Sequence, residues 1–478
     1  DPAVRVITPM TGAAIGLGAL ALGWLIYDGL NRSPLANRPP LLAAAAFLTV
    51  VAFAYGFQQV FSGRAAMLHT GAVIATWMTG NVFLVIIPNQ KKVIASLLKG
   101  EAPAGIPFTE TTKTITVVNP DRLKRFIFPL EKHFVDREVV HWGALHGIIE
   151  MIEGGVTTFT DMYYFEEEVA RAARLAGMRG VLGQTIVNFP APDTPEPYGG
   201  IALARRFITT HRGDPLITPA LAPHAPYTVE PERLREIAKL AEELDAPVLM
   251  HVAEMTDEVA ALRRDHNLTP VGHLAAAGLL NRRLVAAHCI FVDDADIALL
   301  ASSGAGVAHA LVANIKSAKG VAPVTRMMAA GVRVGLATDG PMSGNTLDVI
   351  GQLGYVAKVH KLDRRDRNVM PAVDVVALAT RGGARALHLE DRLGSLEAGK
   401  VADVIIVDTD STAMVPLHDP YSALVYAASP RDVRTTVIHG RVVMEDRRIL
   451  TVDAAAVRTR MRTLTDRINA ALAKGLPP

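Results

Sequence analysis

The sequence predicts an α/β fold: a TIM-type (β/α)8 barrel in which seven strands are recognisable, preceded by a helical membrane region. Three observations support this prediction. Short apolar, β-rich segments alternate with helical segments through the middle of the chain. Several of these apolar segments end in a histidine or an aspartate, as barrel strands do where the chemistry lies at their C-terminal ends. Long runs without Asp, Glu, Lys or Arg fill the N-terminal part.

Composition limits the classes of function. The chain has 478 residues, enough for more than one domain. Lys and Arg total 49 against 47 acidic residues, so the charge balance does not indicate a nucleic-acid-binding protein. The single cysteine, Cys289, excludes an internal disulfide framework and a cysteine-based zinc finger, and it suits a reducing compartment.

The N-terminal part carries three charge-free runs, at residues 8–27, 40–62 and 65–88. Each run is long enough to cross a hydrocarbon core of about 30 Å, which predicts a bundle of three transmembrane helices. Basic residues in the flanks place the rest of the chain in the cytoplasm, and the protein at the inner membrane. The alternatives are three buried helices of a soluble domain, or a cytoplasmic protein with an artefactual N-terminal fusion.

The barrel is predicted from regular alternation. A helix at 139–152 is followed by strands at 156–162, 180–186, 216–221, 247–252, 283–288, 304–308 and 332–337, and by helices at 166–176, 200–211, 231–244, 258–267, 293–303 and 321–330. This order predicts right-handed βαβ units and a parallel sheet. A closed eight-stranded barrel needs one more strand before residue 156. We expect either an exposed edge or closure by residues 112–119, within a Gly- and Pro-containing junction at 106–135.

Three predicted strands end in residues that bind metals or move protons. His251 and Glu254 are three residues apart, so both can reach one pocket from a strand end. A neutral histidine binds a divalent metal, and a nearby carboxylate outside the metal shell can shuttle protons. His288 and Asp339 end two further strands. A lone histidine on an apolar strand is more often a core residue, and an Asp before Gly is often a turn former, but the joint pattern favours a site.

Polar residues in the loops after other strands are candidates for substrate contact. His224 and Tyr227 lie in a proline-bounded loop, where substrate contact and an ordinary turn are equally well supported. Asn314 and Lys316 follow another strand and could contact substrate or be solvated. Cys289 is interpreted as a packing residue, since a metal that supplies hydroxide needs no separate nucleophile.

Six motifs together resemble the metal-dependent amidohydrolase superfamily, and within it the chlorohydrolase and deaminase branch that includes 5-methylthioadenosine/S-adenosylhomocysteine deaminases. The resemblance covers about residues 125–455. The motifs are Gly-Gly-Val-Thr-Thr-Phe-Thr-Asp-Met-Tyr at 154–163, Pro-His-Ala-Pro-Tyr-Thr at 223–228, His-Val-Ala-Glu at 251–254, Ala-His-Cys at 287–289, Thr-Asp-Gly at 338–340 and Gly-Ser-Leu-Glu-Ala-Gly-Lys-Val-Ala-Asp-Val-Ile-Ile-Val-Asp at 394–408.

The resemblance implies a role for each site residue. His251 would be a metal ligand, and Asp339 both a ligand and a base. Glu254 would shuttle a proton to the ring nitrogen, His288 would position the attacking hydroxide, and His224 would contact substrate. The cofactor would be one divalent metal, Zn²⁺ or Fe²⁺, whose bound hydroxide attacks an amino-bearing ring carbon of a purine-like substrate and expels ammonia.

The resemblance also implies the domain organisation. The barrel would span 136–385, a partial β-sandwich 386–450, with strands at 401–407 and 435–443, and a C-terminal helix 451–478. Segments 56–72 and 82–93 resemble the later part of the membrane region of bacterial urate hydroxylases, over about residues 1–105. We interpret this transmembrane part as a fragment without its own activity, and homo-oligomerisation is left open.

One departure from the superfamily pattern bears on activity. The superfamily places His-x-His at the end of the first barrel strand as two metal ligands, and this sequence contains no His-x-His. We therefore predict that this deaminase binds metal poorly and has little or no activity. The alternatives are a triazine-type chlorohydrolase or other cyclic amidine hydrolase, an inactive membrane-anchored protein of purine catabolism, and a barrel used only for binding.

Overall fold

The computed structural model describes residues 9–34, 39–59 and 127–473, and the chain divides into two compact units between Thr114 and Ile115. The first unit contains helices α1 (Pro9–Arg32) and α2 (Pro39–Gln58). The two helices pack together around Phe57, which is buried against side chains that include Tyr27.

The predicted bundle of three transmembrane helices is wrong. In the parts of the chain that the structure describes, no helix is sufficiently long and apolar to traverse a lipid bilayer. The prediction counted missing charges, and a charge-free run need not keep the sustained hydropathy that a span requires. α1 includes Asp28, and α2 ends at Gln58. The third run, 65–88, lies outside the described residues. The inner-membrane location and the membrane partner lose their support with the bundle.

The second unit contains the predicted parallel sheet. Its seven strands hydrogen-bond in chain order, and they are β1 (Thr158–Tyr163), β2 (Arg179–Ile186), β3 (Ile217–Pro223), β4 (Val248–Val252), β5 (Leu284–His288), β6 (Gly306–His309) and β7 (Arg333–Leu336). All seven overlap the strands predicted from the sequence. The barrel-like part of the predicted fold is confirmed.

Helices surround this sheet. Two precede β1, and at least one follows each strand: α3 (Phe128–Phe134), α4 (Arg137–Glu153), α5 (Glu166–Ala176), α6 (Gly200–His211), α7 (Pro231–Leu244), α8 (Thr256–His266), α9 (Pro270–Ala276), α10 (Asp294–Ser303), α11 (Leu311–Lys316), α12 (Val324–Ala329), α13 (Pro341–Gly344) and α14 (Val349–Arg364). α4 begins where the Asp136 carboxylate accepts from the Val139 amide at 2.8 Å, an N-cap that satisfies one free helix donor. It ends at Gly154, before the left-handed Gly155.

Two apolar layers hold the barrel together. Outward-facing strand residues such as Val248, Met250 and Val307 pack under the helices in the main core. Inward-facing residues form a smaller core inside the sheet, made of Val181, Ala220, Ala222, Leu249 and Val285.

The chain then continues through α15 (Ala372–Ala377), a π-helix (Leu378–Gly382), and α16 (Gly383–Ala386) into a second sheet. This sheet is antiparallel, and its strands lie side by side in the order β11-β10-β9-β8. Along the chain, α17 (Pro420–Tyr426) lies between β8 and β9, and α18 (Ala454–Ala473) follows β11. The strands are β8 (Val404–Val407), β9 (Val433–Ile438), β10 (Arg441–Glu445) and β11 (Arg448–Ile449).

Polar contacts join the second sheet to the barrel. The Thr436 hydroxyl of β9 donates to the Ile152 carbonyl of α4 at 2.9 Å, and the Arg447 guanidinium donates to the Glu153 carbonyl at 3.1 Å. Arg179 of β2 forms an ion pair with Asp403, and both side chains are almost fully buried. All three contacts join the small sheet to the end of the barrel at which β1 and β2 begin.

Candidate active site

His251 lies near the end of β4 with its ring oriented by the neighbouring strand. Its Nδ1 lies 2.8 Å from the His224 carbonyl oxygen, so Nδ1 carries the proton and donates it to that oxygen. The Nε2 atom then keeps a lone pair. This arrangement is the one in which a protein histidine acts as a metal ligand or proton acceptor.

His288 ends β5 and is 1% exposed. His288 and Cys289 both have left-handed backbone, with φ of 73° and 46°, and this turns the imidazole away from the regular alternation of the strand. The ring stacks on His251 with centroids 5.5 Å apart and an interplanar angle of 16°. Its Nδ1 lies 2.8 Å from Asn314 Oδ1. Burial lowers the pKa of His288 against the opposing charge of Glu254, so the imidazole is neutral near pH 7.

Glu254 faces these histidines from the loop after β4. Its Oε1 lies 3.6 Å from His288 Nε2 and forms an ion pair with Lys319. Burial raises the pKa of Glu254, but the nearby His288, His251 and Lys319 outweigh burial and hold it well below the usual value. Glu258 supports the loop, because its carboxylate accepts from the amides of Ala253 and Glu254, each at 2.9 Å. Glu254 is therefore an ionised carboxylate in a nearly dry pocket.

Asp339 follows β7 in a left-handed conformation, with φ of 62°. Its carboxylate accepts from the Gly340 amide at 2.7 Å. Its charge also raises the pKa of His288, against the larger effect of burial. The described residues nevertheless contain no group of three His, Cys, Asp or Glu side chains placed to hold a metal ion. The donors present in this part of the chain do not complete a metal site.

His224 forms one wall of the pocket. Its ring lies 4.8 Å from the His251 ring and 5.8 Å from the Tyr227 ring, centroid to centroid. The Thr228 hydroxyl oxygen lies 3.0 Å from His224 Nδ1, and the Phe128 ring lies 6.4 Å away. Burial lowers the pKa of His224 to about 3, so its ring is neutral. A wall of flat, uncharged rings suits contact with a flat heterocycle.

The structure thus brings the predicted His224, His251, Glu254 and His288 into one pocket, with Asn314 behind His288. Tyr227 lies at its rim, 38% exposed. Lys316 instead approaches the Met342 carbonyl, at 3.5 Å. Cys289 is fully buried in the main core, as the packing interpretation expected.

Three residues of the pocket were missed from the sequence: Lys319, Thr228 and Phe128. Lys319 lies three residues beyond the lysine that was considered, and only the turn after α11 directs it to Glu254. Thr228 stands within the quoted Pro-His-Ala-Pro-Tyr-Thr motif, so the motif itself was the available signal. Phe128 precedes the barrel, where no pattern pointed to the pocket.

Comparisons with known proteins divide the chain in two. The model of the amidohydrolase family matches residues 115–443. The model of the urate oxidase N-terminal family matches residues 1–120. The second match is partly consistent with the predicted resemblance of the N-terminal part to urate hydroxylases, although the transmembrane interpretation of that part is wrong.

Individual relatives agree with the first match. The chain is 43% identical over 340 residues to a 5-methylthioadenosine/S-adenosylhomocysteine deaminase of Syntrophobacter fumaroxidans, covering 71% of this chain and 77% of the relative. It is 41% identical over 352 residues to deaminase 1 of the same name from Syntrophus aciditrophicus, covering 74% and 80%.

Solved structures show the same fold. An adenosine deaminase from Xanthomonas campestris with bound zinc is 34% identical, with a TM-score of 0.73 over 74% of this chain and 82% of that one. The zinc complex of an atrazine chlorohydrolase from Arthrobacter aurescens is 22% identical, with a TM-score of 0.69 over 73% and 83%, a likeness that shows the fold alone. From residue 115 to residue 443, this chain belongs to the amidohydrolase family.

Proposed function

We propose that this chain is a hydrolytic deaminase of adenosine-type purine compounds, with 5-methylthioadenosine and S-adenosylhomocysteine as the substrate class, and that an incomplete metal site limits its turnover. The observation that carries the proposal is one pocket in which Glu254, His288 and His251 converge beside the aromatic wall at His224. Relatives at 41% to 43% identity carry the matching deaminase name.

The pocket residues support a division of labour. Glu254 is ionised and faces His288, so it can take a proton from the attacking water and pass it to a ring nitrogen. His288, held by Asn314, keeps an unprotonated Nε2 towards Glu254 and can accept a hydrogen bond from that water. His224 and Tyr227 would contact the purine ring. Lys319 keeps Glu254 in the ionised form that this cycle begins with.

The metal is the weak part of this pocket. The family uses a divalent metal, and the adenosine deaminase from Xanthomonas campestris holds zinc, so we propose Zn²⁺ as the ion. His251 and Asp339 are the donors that would bind it. Structural and catalytic zinc sites use at least three protein ligands, and the described residues offer no such group. We therefore derive no catalytic step through the ion and expect weak binding.

A substrate panel tests the proposal. The purified full chain is supplied with excess ZnCl₂ and with 5-methylthioadenosine, S-adenosylhomocysteine or adenosine, and ammonia release is measured. We expect slow release, abolished by Glu254→Gln and unchanged by Glu243→Gln, since Glu243 lies exposed on α7. Chloride release from atrazine without ammonia release from any nucleoside would instead identify a chlorohydrolase, and no release from either class would contradict both readings.

A further inference from the structure

A row of side-chain rings runs through the pocket from His288 to the loop after β2. The His288 ring stacks on the His251 ring, which lies 4.8 Å from the His224 ring. The row continues with Phe128, whose ring lies 6.4 Å from that of His224. It ends at Phe189, whose ring lies 4.9 Å from that of Phe128, all distances being between centroids. The row therefore extends two rings beyond the wall at His224.

The two phenylalanine rings at this end are not part of the barrel core. Phe128 and Phe189 are each partly exposed, and neither belongs to the apolar cores that the described residues of the barrel form. The rings are tilted by 45° and contact each other. Partly exposed aromatic rings that continue a row of pocket residues are typical of a ligand-binding surface.

Backbone hydrogen bonds hold Phe189 in place relative to His224. The Asn188 amide donates to the Thr228 carbonyl at 3.0 Å, and the His224 amide donates to the Ile186 carbonyl at 3.1 Å. These two bonds join the loop after β2 to the loop after β3. The Phe189 ring is thus carried by a loop that is fixed to the pocket wall, as the selection of one ligand over another requires.

A carboxylate lies beside this end of the row. The side-chain amide of Asn188, the residue before Phe189, donates to Glu230 Oε1 at 3.0 Å, and Glu230 is exposed. A second negative charge placed here would be repelled by Glu230, whereas an uncharged group would not. The Phe189 end of the row therefore favours an apolar, uncharged substituent over one that ends in a carboxylate.

We propose that Phe128 and Phe189 form a subsite for the 5′-methylthio group of a nucleoside, so that this chain selects 5′-methylthioadenosine over both adenosine and S-adenosylhomocysteine. The inference rests on the proposed function, which places the amino-bearing ring carbon beside Glu254. In a 5′-thio nucleoside the sulfur lies at the opposite end of the molecule from that carbon, so it lies at the phenylalanine end of the row.

The three nucleosides differ in what they bring to this subsite. The thioether and methyl group of 5′-methylthioadenosine contact aromatic rings favourably. Adenosine presents a hydroxyl group instead, which loses hydrogen bonds to water against two apolar rings. S-adenosylhomocysteine keeps the sulfur, but its amino-acid tail brings a carboxylate towards Glu230. Specificity is the difference between these affinities.

Nucleoside binding to the full chain tests the proposal without requiring turnover. Dissociation constants for the three nucleosides are measured by isothermal titration calorimetry in EDTA. Phe189→Ala removes the ring, Phe189→Arg replaces it with a cation, and Glu230→Gln removes the charge but keeps an oxygen that Asn188 can donate to. Tyr355→Ala, at an aromatic residue of α14 that is 56% exposed, is the matched control. Circular dichroism checks that the variants fold.

We expect the wild type to bind 5′-methylthioadenosine about 10-fold more tightly than either other nucleoside. Phe189→Ala should lose this preference, and Tyr355→Ala should keep it. Phe189→Arg should weaken binding of 5′-methylthioadenosine and strengthen binding of S-adenosylhomocysteine, because a guanidinium group pairs with its carboxylate. Glu230→Gln should strengthen binding of S-adenosylhomocysteine alone.

Three results would overturn the proposal: no binding of 5′-methylthioadenosine, equal binding of all three nucleosides by the wild type, or an unchanged preference in Phe189→Ala. None of these readouts depends on ammonia release. A chain that binds with the expected preference but releases no ammonia would contradict the proposed function while supporting the subsite.

Discussion

Replacement of Lys319 by methionine tests whether the pocket depends on the Lys319–Glu254 ion pair. The side chains are 17% and 11% exposed, so neither partner would be well solvated alone. Removing one member of such a pair leaves a buried charge and typically costs 3 to 5 kcal/mol. Glu254 keeps its contact with His288, so we expect Lys319→Met to lower the free energy of unfolding by about 3 kcal/mol at pH 7, the lower end of this range.

The pKa of Glu254 predicts how this loss of stability changes with pH. In the wild type the pKa of Glu254 is lowered, so its ionised form stabilises the fold above the unfolded pKa of about 4.3 and that contribution is lost as the pH falls. In Lys319→Met, burial opposes the charge, and protonation relieves the penalty. The difference in free energy of unfolding between the wild type and Lys319→Met should therefore become smaller as the pH falls from 7 to about 4.5.

Urea unfolding at both pH values measures this difference in free energy of unfolding. Lys239→Met, at an exposed lysine on α7, is the matched control. The double variant Lys319→Met with Glu254→Gln removes both charges and should recover most of the stability. If Lys319→Met has the same free energy of unfolding as Lys239→Met at pH 7, the ion pair does not stabilise the fold as the structure implies.

Three further variants, one of them a double substitution, test buried contacts. Asn314→Leu leaves the buried Nδ1 proton of His288 without an acceptor, and should lower stability by about 1 to 3 kcal/mol in urea unfolding and slow any deamination; unchanged stability and activity would contradict this. His309 and His360 face each other through Nε2 atoms 3.0 Å apart, and burial lowers their pKa values to about 3 and about 4. Because the unfolded histidines take up protons below about pH 6.5 and the folded ones do not, stability should fall between that pH and about pH 4. When both histidines are replaced by leucine, stability should depend less on pH in this range. An unchanged pH dependence would contradict a role for the two buried histidines. Gly306→Ala would drive its new Cβ into a backbone carbonyl of α16, and should abolish soluble expression or lower the melting temperature sharply; a melting temperature like that of the wild type would be inconsistent with that close approach.

Local pattern accounts for most of the barrel. The helix α7 (Pro231–Leu244) matches its predicted range, since a proline at its start and an amphipathic repeat are both local signals. The strands are short apolar runs bounded by turns, and they too were predictable. α9 (Pro270–Ala276) was missed, although Thr269 caps it, because seven residues are too few to show a helical period.

The N-terminal error has a different origin. Charge-free runs were interpreted as spans, and absence of charge says nothing about whether a helix is long enough or apolar enough. Hydropathy summed along a continuous helix was the missing quantity.

The candidate site was partly predictable. His251, His288 and Glu254 stand at strand ends, and parallel strands bring their C-terminal ends together. The left-handed turn at His288 and the approach of Lys319 to Glu254 could not be inferred, because each depends on contacts between segments far apart in the chain. The roles of the site residues stay predictions until the variants are measured.

The bonds from Thr436 and Arg447 to the last carbonyls of α4 have a mechanical meaning. The antiparallel sheet holds the C-terminal end of α4 against the barrel through these two contacts. Deleting the chain from β9 onwards should therefore destabilise the barrel first at α4. The small sheet is thus a structural part of the barrel and not a separate appendage.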